Sequence, residues 1–445
     1  MNWASLVLVS ASGCIDTDPE PFFVHSGAST SSWQRAESGD HASQSWVETQ
    51  FQIVEDQARS CWSRGGRYWE TDLDTSSYVA TLRIAGSTWE AADCPECLQN
   101  FVDLWNGLPD RLLGGICAHA LCDRGQVQSR IYPLYLSRAL HVEFALPSPA
   151  QHVKVRELSH WSQLRLDFVV GGINSCGTTS MAKALDQIGD IDFTMDGEDN
   201  FFYRHDSLLP YREEVESFNF QWLSHSCSQC LRGLRHPGLY HSHRVRLALA
   251  HIPRLKVVIV VCDPVSRFEK WFWMFLHCKS YPAKPRHKLK ADGPERCFHS
   301  PASALEEPEM LRQSSFGFHL RSLHSVFGSR LRVIHQAHLR HHPIEACTNV
   351  VQFLGARMPP SFKVERHNHQ RGYRTNMCQN QSLVADLQKL LLEEYDAMEV
   401  VLSAAGGGLA LPKELQLRQT RCDRPEEMQG MAPEVDRAPL LVAMP

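Results

Sequence analysis

The chain of 445 residues has the composition of a globular protein, with 43% hydrophobic residues, 21% charged residues and a formal net charge of −5. A dedicated nucleic-acid-binding protein is usually basic, so this charge argues against that class. The longest apolar runs fall far short of the ~20 residues that a membrane-spanning helix needs, and no such helix is predicted.

The first 45 residues are predicted to form a flexible arm, because residues 26–45 are rich in Ser, Gly, Ala and charged residues. Within this arm, Trp3–Ser12 has the length of the apolar part of a signal peptide, although no basic residue precedes it. A signal peptide predicts the secretory pathway, as a Golgi-lumenal or secreted protein. Without one, the cytoplasm is expected.

Residues 46–150 form a Trp- and Cys-containing N-terminal region without a clear hydrophobic period. The 15 cysteines of the chain allow two interpretations. Disulfides suit an oxidising compartment, whereas a zinc site suits a reducing one, and its candidate ligands are Cys94, Cys97, Cys117 and Cys122. The uneven spacing of the second pair favours disulfides. An N-glycosylation triplet at Asn380 is compatible with a lumenal glycoprotein.

From residue 152 to residue 403 the pattern alternates between strands and helices. Short apolar runs predict the strands Phe168–Val170, Ile191–Phe193, Gly238–Ser242, Lys256–Cys262 and Leu331–His335. Helical periodicity predicts a helix after the first strand, one that ends near Leu223, one over Val245–His251 and one that begins at Pro264. It predicts further helices over Phe316–Phe327, Pro343–Phe353 and Leu383–Leu402. Such alternation predicts an α/β, P-loop-like three-layer domain with a central, mainly parallel sheet. Residues 404–445 are predicted to be a disordered tail.

A glycine-containing turn, Gly172 to Gly177, connects the first strand of this domain to its helix. A turn of this kind directs backbone N–H groups and the positive end of a helix dipole at one point, which suits a phosphate group. Nucleoside-triphosphate P-loops have a lysine after the second glycine, but here Thr178 follows Gly177. The turn therefore predicts an anion site of a different kind, or an ordinary strand-to-helix turn.

Four segments together resemble sulfotransferases of the Golgi, glycosaminoglycan-modifying (heparan sulfate) type, over roughly residues 165–400. The turn, Gly-Ile-Asn-Ser-Cys-Gly-Thr-Thr-Ser, is similar to the family's 5′-phosphosulfate loop. Glu198-Asp-Asn-Phe-Phe resembles the segment that holds the catalytic glutamate. Val257–Phe272 resembles the 3′-phosphate motif, and the run from Phe316 to Gly355 resembles the helix–strand–helix that follows it.

The resemblance implies an enzyme that transfers a sulfuryl group from 3′-phosphoadenylyl sulfate (PAPS), without a metal, to a hydroxyl of a carbohydrate or glycosaminoglycan-like acceptor. Glu198 would be the general base. Nucleotide contacts are implied for Gly172, Asn174, Ser175, Cys176, Gly177, Thr178, Thr179, Ser180, Arg267, Lys270, Arg371, Gly372, Tyr373 and Arg374.

The chain departs from the family's pattern at charged positions. Ser175 stands where the family has a lysine, Cys262 where it has the 3′-phosphate arginine, and Lys270 where it has a serine, whereas Arg267 matches. We expect Lys270 to restore charge near the 3′-phosphate. The segment Arg371–Arg374 stands where the family often has a loop that closes over the nucleotide.

Two alternatives follow from the same residues. A P-loop kinase-like enzyme is suggested by Val257–Asp263, which imitates a Walker B strand ending in aspartate. A catalytically impaired protein that binds a nucleotide or a glycan is suggested by Ser175 and Cys262.

Overall fold

The computed structural model describes residues 22–25, 41–81, 110–139, 149–173, 176–193, 199, 201–203, 208–223, 227, 229–236, 238, 241–273, 298–306, 311, 314–359, 362, 377, 380–412 and 415. The chain divides into two compact units, and each is assembled from separate stretches of sequence. Unit 1 comprises Met1–Leu166, Asn200–Ser228 and Ser242–Pro253, and unit 2 comprises Asp167–Asp199, Gln229–His241 and Arg254–Pro445. The domain boundaries inferred from the sequence at residues 45, 150 and 403 remain predictions.

The strands, in chain order, are β1 (Phe22–His25), β2 (Gly66–Asp74), β3 (Arg111–His119), β4 (Val153–Glu157), β5 (Phe168–Gly172), β6 (Ile191–Phe193), β7 (Leu231–Arg235), β8 (Lys256–Val261) and β9 (Leu331–His335). The α-helices of five or more residues are α1 (His41–Ser63), α2 (Tyr132–Ala139), α3 (Thr178–Leu185), α4 (Arg212–Leu223), α5 (His243–Ala250), α6 (Pro264–Trp271), α7 (Pro301–Leu305), α8 (Gly317–Phe327), α9 (Gln336–His341), α10 (Pro343–Leu354), α11 (Gln381–Leu390) and α12 (Leu392–Ala405).

Unit 1 is built on an antiparallel sheet with the strand order β1-β3-β2-β4. Helix α1 packs against β2, and the Cys61–Cys117 disulfide joins its last turn to β3. Along β2, Trp69, Thr71 and Leu73 are buried, whereas Glu70 and Asp72 between them are only partly buried.

Unit 2 is built on a parallel sheet with the strand order β6-β7-β5-β8-β9, in register Phe168↔Gly233 and Gly172↔Val260. The predicted α/β fold with a central parallel sheet is therefore confirmed. Helices α3 and α10 cover one face of the sheet. Side chains that point the other way, including Val257 and Ile259, are also fully buried, which is the pattern of a sheet enclosed on both faces.

One predicted strand is wrong. The third strand of the parallel sheet in chain order is β7, not Gly238–Ser242, where the described residues form turns and the N-cap of α5. The sequence of β7, Leu-Arg-Gly-Leu-Arg, has few β-forming residues, and this hid the strand. Its Gly233 is required because a Cβ there would lie 2.1 Å from the ring of Phe168 on β5.

The helix predicted over Leu383–Leu402 is instead two helices, α11 and α12, which meet at Leu391. Leu391 has φ −101° and ψ 18°, outside the helical region. Leu383, Leu387 and Tyr395 are buried on either side of the break. Because the apolar stripe continues across it, periodicity alone could not reveal the interruption.

The N-terminal expectations also need correction. The predicted flexible arm contains strand β1, which pairs with β3, and the first residues of α1. The zinc alternative is contradicted at two of its four ligands: Cys117 is bonded to Cys61, and Cys122 is also in a disulfide. The other two, Cys94 and Cys97, lie outside the described residues. Among the residues that are described, no cluster of His, Cys, Asp and Glu is arranged to hold a metal, and no helix is both long and apolar enough to cross a bilayer.

Candidate functional site

The turn between β5 and α3 lies at the carboxyl edge of the parallel sheet of unit 2, where ligands bind in folds of this architecture. The backbone N–H of Ile173 donates to the carbonyl oxygen of Val260 on β8 (3.1 Å), and that of Cys176 donates to the carbonyl oxygen of Ile173 (3.0 Å). The first bond extends the pairing of β5 with β8 into the turn, and the second closes the turn.

Both glycines of the turn are required by the backbone. Gly172 has φ 146° and Gly177 has φ 110°, in the range that favours glycine. At Gly172 a Cβ would also lie 2.4 Å from the carbonyl oxygen of Val260, so no larger residue fits without movement of the neighbouring strand. The two glycines therefore fix where the chain leaves the sheet and where it enters α3.

Helix α3 begins with an anion-binding geometry. Its N-cap is Gly177, which has no side chain with which to cap the helix, and the first helical bond runs from Met181 N–H to the Gly177 carbonyl (3.0 Å). The N–H groups of the first turn consequently point toward the carboxyl edge of the sheet, together with the positive end of the helix dipole. Thr178 is buried and Thr179 and Ser180 are partly exposed, so hydroxyl groups stand beside these amides.

Cys176 and Cys262 form a disulfide, with Cα atoms 5.2 Å apart. Cys176 belongs to the turn, and Cys262 directly follows β8 on the adjacent strand. Residue 262 is the position at which the resembling family has its 3′-phosphate arginine. In this chain the position carries a covalent link in place of a charge.

Helix α6 brings positive charge to the same edge of the sheet. Asp263 caps it by accepting the Ser266 N–H (2.6 Å), and the hydroxyl of Tyr395 on α12 donates to the other oxygen of Asp263 (2.6 Å). Arg267 is fully buried, with its guanidinium 4.9 Å from the centre of the Trp271 ring. Its predicted contact with a nucleotide remains a prediction.

Lys270 lies on α6, partly exposed, and its Nζ is 3.4 Å from Oε1 of Gln336, the first residue of α9. A Cβ on Gly177 would lie 3.8 Å from Nε2 of the same Gln336. Gln336 thus lies between the start of α3 and Lys270. That Lys270 restores charge near a 3′-phosphate remains a prediction.

Two histidines lie at the carboxyl ends of strands in this sheet. Burial lowers the pKa of His236, just after β7, to about 4, and burial also lowers the pKa of His335, the last residue of β9, to about 3. The ring Nδ1 of His335 accepts the Ala337 N–H (3.2 Å), so this imidazole caps α9. Both rings are therefore neutral at physiological pH.

The remaining predicted site residues, Asn174, Ser175, Glu198, Arg371, Gly372, Tyr373 and Arg374, lie outside the described residues. The structure does describe Asp199, which follows Glu198, and Met377, which lies shortly after Arg374. Asp199 is buried, and its N–H donates to the carbonyl oxygen of Arg235 at the end of β7 (2.9 Å). Met377 is buried and donates its N–H to the carboxylate of Glu269 on α6 (3.1 Å).

The sequence analysis did not predict the Cys176–Cys262 bond, nor that Gln336 lies between the start of α3 and Lys270. A signal for the bond existed. Cys262 ends one predicted buried strand and Cys176 follows another by a few residues, and parallel strands end at the same edge of a sheet. No comparable pattern marks Gln336, whose position depends on how α9 leaves β9.

No family model and no curated protein matches the chain. Solved structures to which it is similar include sulfotransferases. A sulfotransferase from Alicyclobacillus acidocaldarius matches with 16% identity and a TM-score of 0.39, over 54% of this chain and 96% of the other. The sulfotransferase domain from the curacin biosynthetic pathway matches with 12% identity and a TM-score of 0.30, over 57% and 96% of the two chains. A mouse sulfotransferase complexed with 3′-phosphoadenosine 5′-phosphate (PAP) matches with 12% identity and a TM-score of 0.29, over 57% of this chain and 72% of the other. At identities and TM-scores this low, nothing about the site is inferred from these matches.

Proposed function

We propose that the protein is a PAPS-dependent sulfotransferase that transfers a sulfuryl group to a hydroxyl of a carbohydrate acceptor. The observation that carries this proposal is the uncapped start of α3 behind the Gly172–Gly177 turn, at the same edge of the sheet as Lys270. A helix start with a nearby ammonium group suits a ligand that carries two separate phosphate groups. The absence of a lysine after Gly177 disfavours nucleoside triphosphates.

In this proposal the amides of residues 177–180 and the hydroxyls of Thr178 and Thr179 bind the 5′-phosphosulfate. Lys270 and Arg267 bind the 3′-phosphate. Glu198 accepts the proton of the acceptor hydroxyl as its oxygen attacks sulfur, in line with the departing phosphate oxygen, because a neutral hydroxyl is a poor nucleophile. Arg371–Arg374 supplies further positive charge to the nucleotide. No step requires a metal.

The disulfides of the described residues support a protein of the secretory pathway, where such bonds persist. We therefore propose that the enzyme is a Golgi-lumenal or secreted glycoprotein and that it acts on a glycosaminoglycan-like acceptor. The Asn380 side chain accepts the Leu383 N–H as the N-cap of α11 and is exposed, so the glycosylation triplet lies at a helix start.

The test is the protein's response to 3′-phosphoadenosine 5′-phosphate (PAP). A ligand present at 100 times its dissociation constant adds about 2.7 kcal/mol to stability, which is readily measured as a rise in melting temperature. We expect a clear rise with PAP and a much smaller one with ATP, which has no 3′-phosphate. Equal rises would contradict the assignment. Transfer of radiolabelled sulfate from PAPS to a panel of glycans then tests activity and identifies the acceptor.

A second candidate, a nucleotide-binding protein without transfer activity, is favoured by the Cys176–Cys262 bond. The bond occupies a position where the resembling family has its 3′-phosphate arginine, and Ser175 stands where the family has a lysine. PAP binding without sulfate transfer to any glycan of the panel would support this candidate.

A further inference from the structure

The Cys176–Cys262 disulfide joins the starts of two helices. Cys176 immediately precedes Gly177, the N-cap of α3, and Cys262 immediately precedes Asp263, the N-cap of α6. One covalent bond therefore fixes the distance between two helix N-termini at the carboxyl edge of the sheet. These are the two elements that bind the two phosphate groups in the proposed function.

The backbone of the Gly172–Gly177 turn can adopt many conformations when the disulfide does not restrain it. Gly172 and Gly177, on either side of Cys176, both have positive φ angles, and glycine has the largest choice of backbone conformations. Apart from the disulfide, the pairing of Ile173 with Val260 holds the start of the turn to β8, and the Cys176 N–H closes the turn on the Ile173 carbonyl. The disulfide thus removes conformations that the turn would otherwise adopt, and a preorganised turn binds an anion with a smaller loss of entropy.

The bond is also shielded. Cys176 is 0% exposed and Cys262 is 1% exposed. A reductant reaches these sulfur atoms only after the turn has opened locally. A nucleotide held by the amides of the same turn would oppose that opening.

We propose that the Cys176–Cys262 disulfide couples nucleotide binding to the thiol redox state: the oxidised protein binds the nucleotide tightly, reduction weakens binding, and bound nucleotide protects the disulfide. The inference rests on the proposed function, since it requires a nucleotide on the turn. The reaction is thiol–disulfide exchange with a dithiol. The dithiol gives up two electrons and two protons and becomes a disulfide, the Cys176–Cys262 bond breaks, and both cysteines become thiols.

The coupling is tested by titrating PAP into the full chain by calorimetry, before and after treatment with dithiothreitol. Because effects between linked equilibria are reciprocal and usually fall between 5- and 150-fold, we expect reduction to raise the Kd of PAP by about tenfold. Cys176→Ser combined with Cys262→Ser should show the weaker affinity with or without dithiothreitol. The matched control, Cys61→Ser with Cys117→Ser, removes a disulfide of unit 1 and should keep both the tight binding and its sensitivity to dithiothreitol.

A second measurement covers the case in which the serine variants do not fold. The native protein is exposed to dithiothreitol, alkylated at intervals, and the labelled Cys176 and Cys262 peptides are quantified by mass spectrometry. We expect PAP to slow labelling of this pair and to leave Cys61 and Cys117 unaffected. Equal Kd values for PAP in the oxidised and reduced proteins overturn the redox coupling alone. PAP that binds neither form overturns the proposed function and the coupling with it.

Discussion

At the scale of single residues, the candidate site differs from the family it resembles mainly in where its positive charge lies. The chain has Ser175 and Cys262 at two positions where the family has cations, and Lys270 at a position where it has none. Lys270 lies 3.4 Å from Gln336, which itself lies beside Gly177. The ammonium group is thus carried by α6, eight residues after Cys262, where the family has its 3′-phosphate arginine.

Replacing Lys270 by Ala should weaken PAP binding, because a charge-assisted contact to phosphate contributes about 1.5–3 kcal/mol. The matched control is Lys183→Ala, which removes the same charge from the exposed face of α3 at its far end and should leave the Kd unchanged. Calorimetric titration of both variants measures the difference. An unchanged Kd in Lys270→Ala would show that the lysine does not contact the nucleotide. Adding Cys262→Arg to Lys270→Ala is not a suitable way to restore the lost PAP affinity, since it also breaks the disulfide.

Replacing Glu198 by Gln keeps the shape of the side chain and removes its ability to accept a proton. General-base catalysis typically contributes roughly 10²–10⁴-fold, so kcat for sulfate transfer should fall by about that factor while the Kd of PAP stays nearly the same. Asp199→Asn, at the adjacent buried carboxyl, is the comparison variant. If Glu198→Gln retains activity, the base is another residue, and the neutral His236 is the next to test.

At the scale of elements, the start of α6 is held from two sides. Asp263 accepts the Ser266 N–H with one oxygen and the Tyr395 hydroxyl with the other. The first bond is local and typical of an N-cap, whereas the second comes from α12, more than a hundred residues later in the chain. The position of Lys270 and Arg267 therefore depends on α12 as well as on α6 itself.

Tyr395→Phe should lower the free energy of unfolding by about 1.5–3 kcal/mol, the usual contribution of a hydrogen bond to a charged group, because Tyr395 is buried and Asp263 loses a donor. Urea denaturation measures this loss. Asp263→Asn keeps a side-chain oxygen that accepts the Ser266 N–H but removes the carboxylate that accepts the Tyr395 hydroxyl. Comparing the two variants therefore distinguishes the contribution of the N-cap from that of the tyrosine bond. If Tyr395→Phe is no less stable than the native protein, the hydroxyl bond makes no net contribution.

The elements that the sequence predicted well are those whose own residues determine them. The five consecutive β-forming residues of β8, and the proline at the start of α6, are local signals. Strand β7 was missed because its Gly233 is determined by the ring of Phe168 on another strand. The break at Leu391 was missed because the buried stripe continues through it. For the site, motifs predicted the turn, but the disulfide required knowledge of which strands are neighbours.

At the scale of the whole molecule, the two neutral histidines at the sheet edge make stability depend on pH. His236 and His335 have pKa values of about 4 and about 3 in the folded state, below the ordinary 6.5. Between these values and 6.5 the unfolded chain binds more protons than the folded chain. The free energy of unfolding must therefore decrease as the pH falls from about 6.5 toward 4.

Each proton of difference contributes about 1.4 kcal/mol per pH unit within that window. Urea denaturation at pH 7.5, 6 and 5 should show the decrease, and His335→Asn should reduce its slope by up to one proton. Asparagine is a suitable replacement because its side chain also caps a helix such as α9. A slope identical to that of the native protein would show that the pKa of His335 is the same in the folded and unfolded chains, and would contradict the prediction.

The interleaving of the two units along the chain has a consequence for how the protein can be made. The chain passes from one unit to the other after Leu166, Asp199, Ser228, His241 and Pro253, so neither unit is a continuous stretch of sequence. During synthesis, the antiparallel unit still lacks α5 when β5, β6 and β7 of the other unit have already left the ribosome. Contacts between residues far apart in sequence slow folding, because loops must close before they are stabilised. Truncation at any single position therefore yields a fragment in which at least one unit is incomplete, and the protein must be studied as an intact chain.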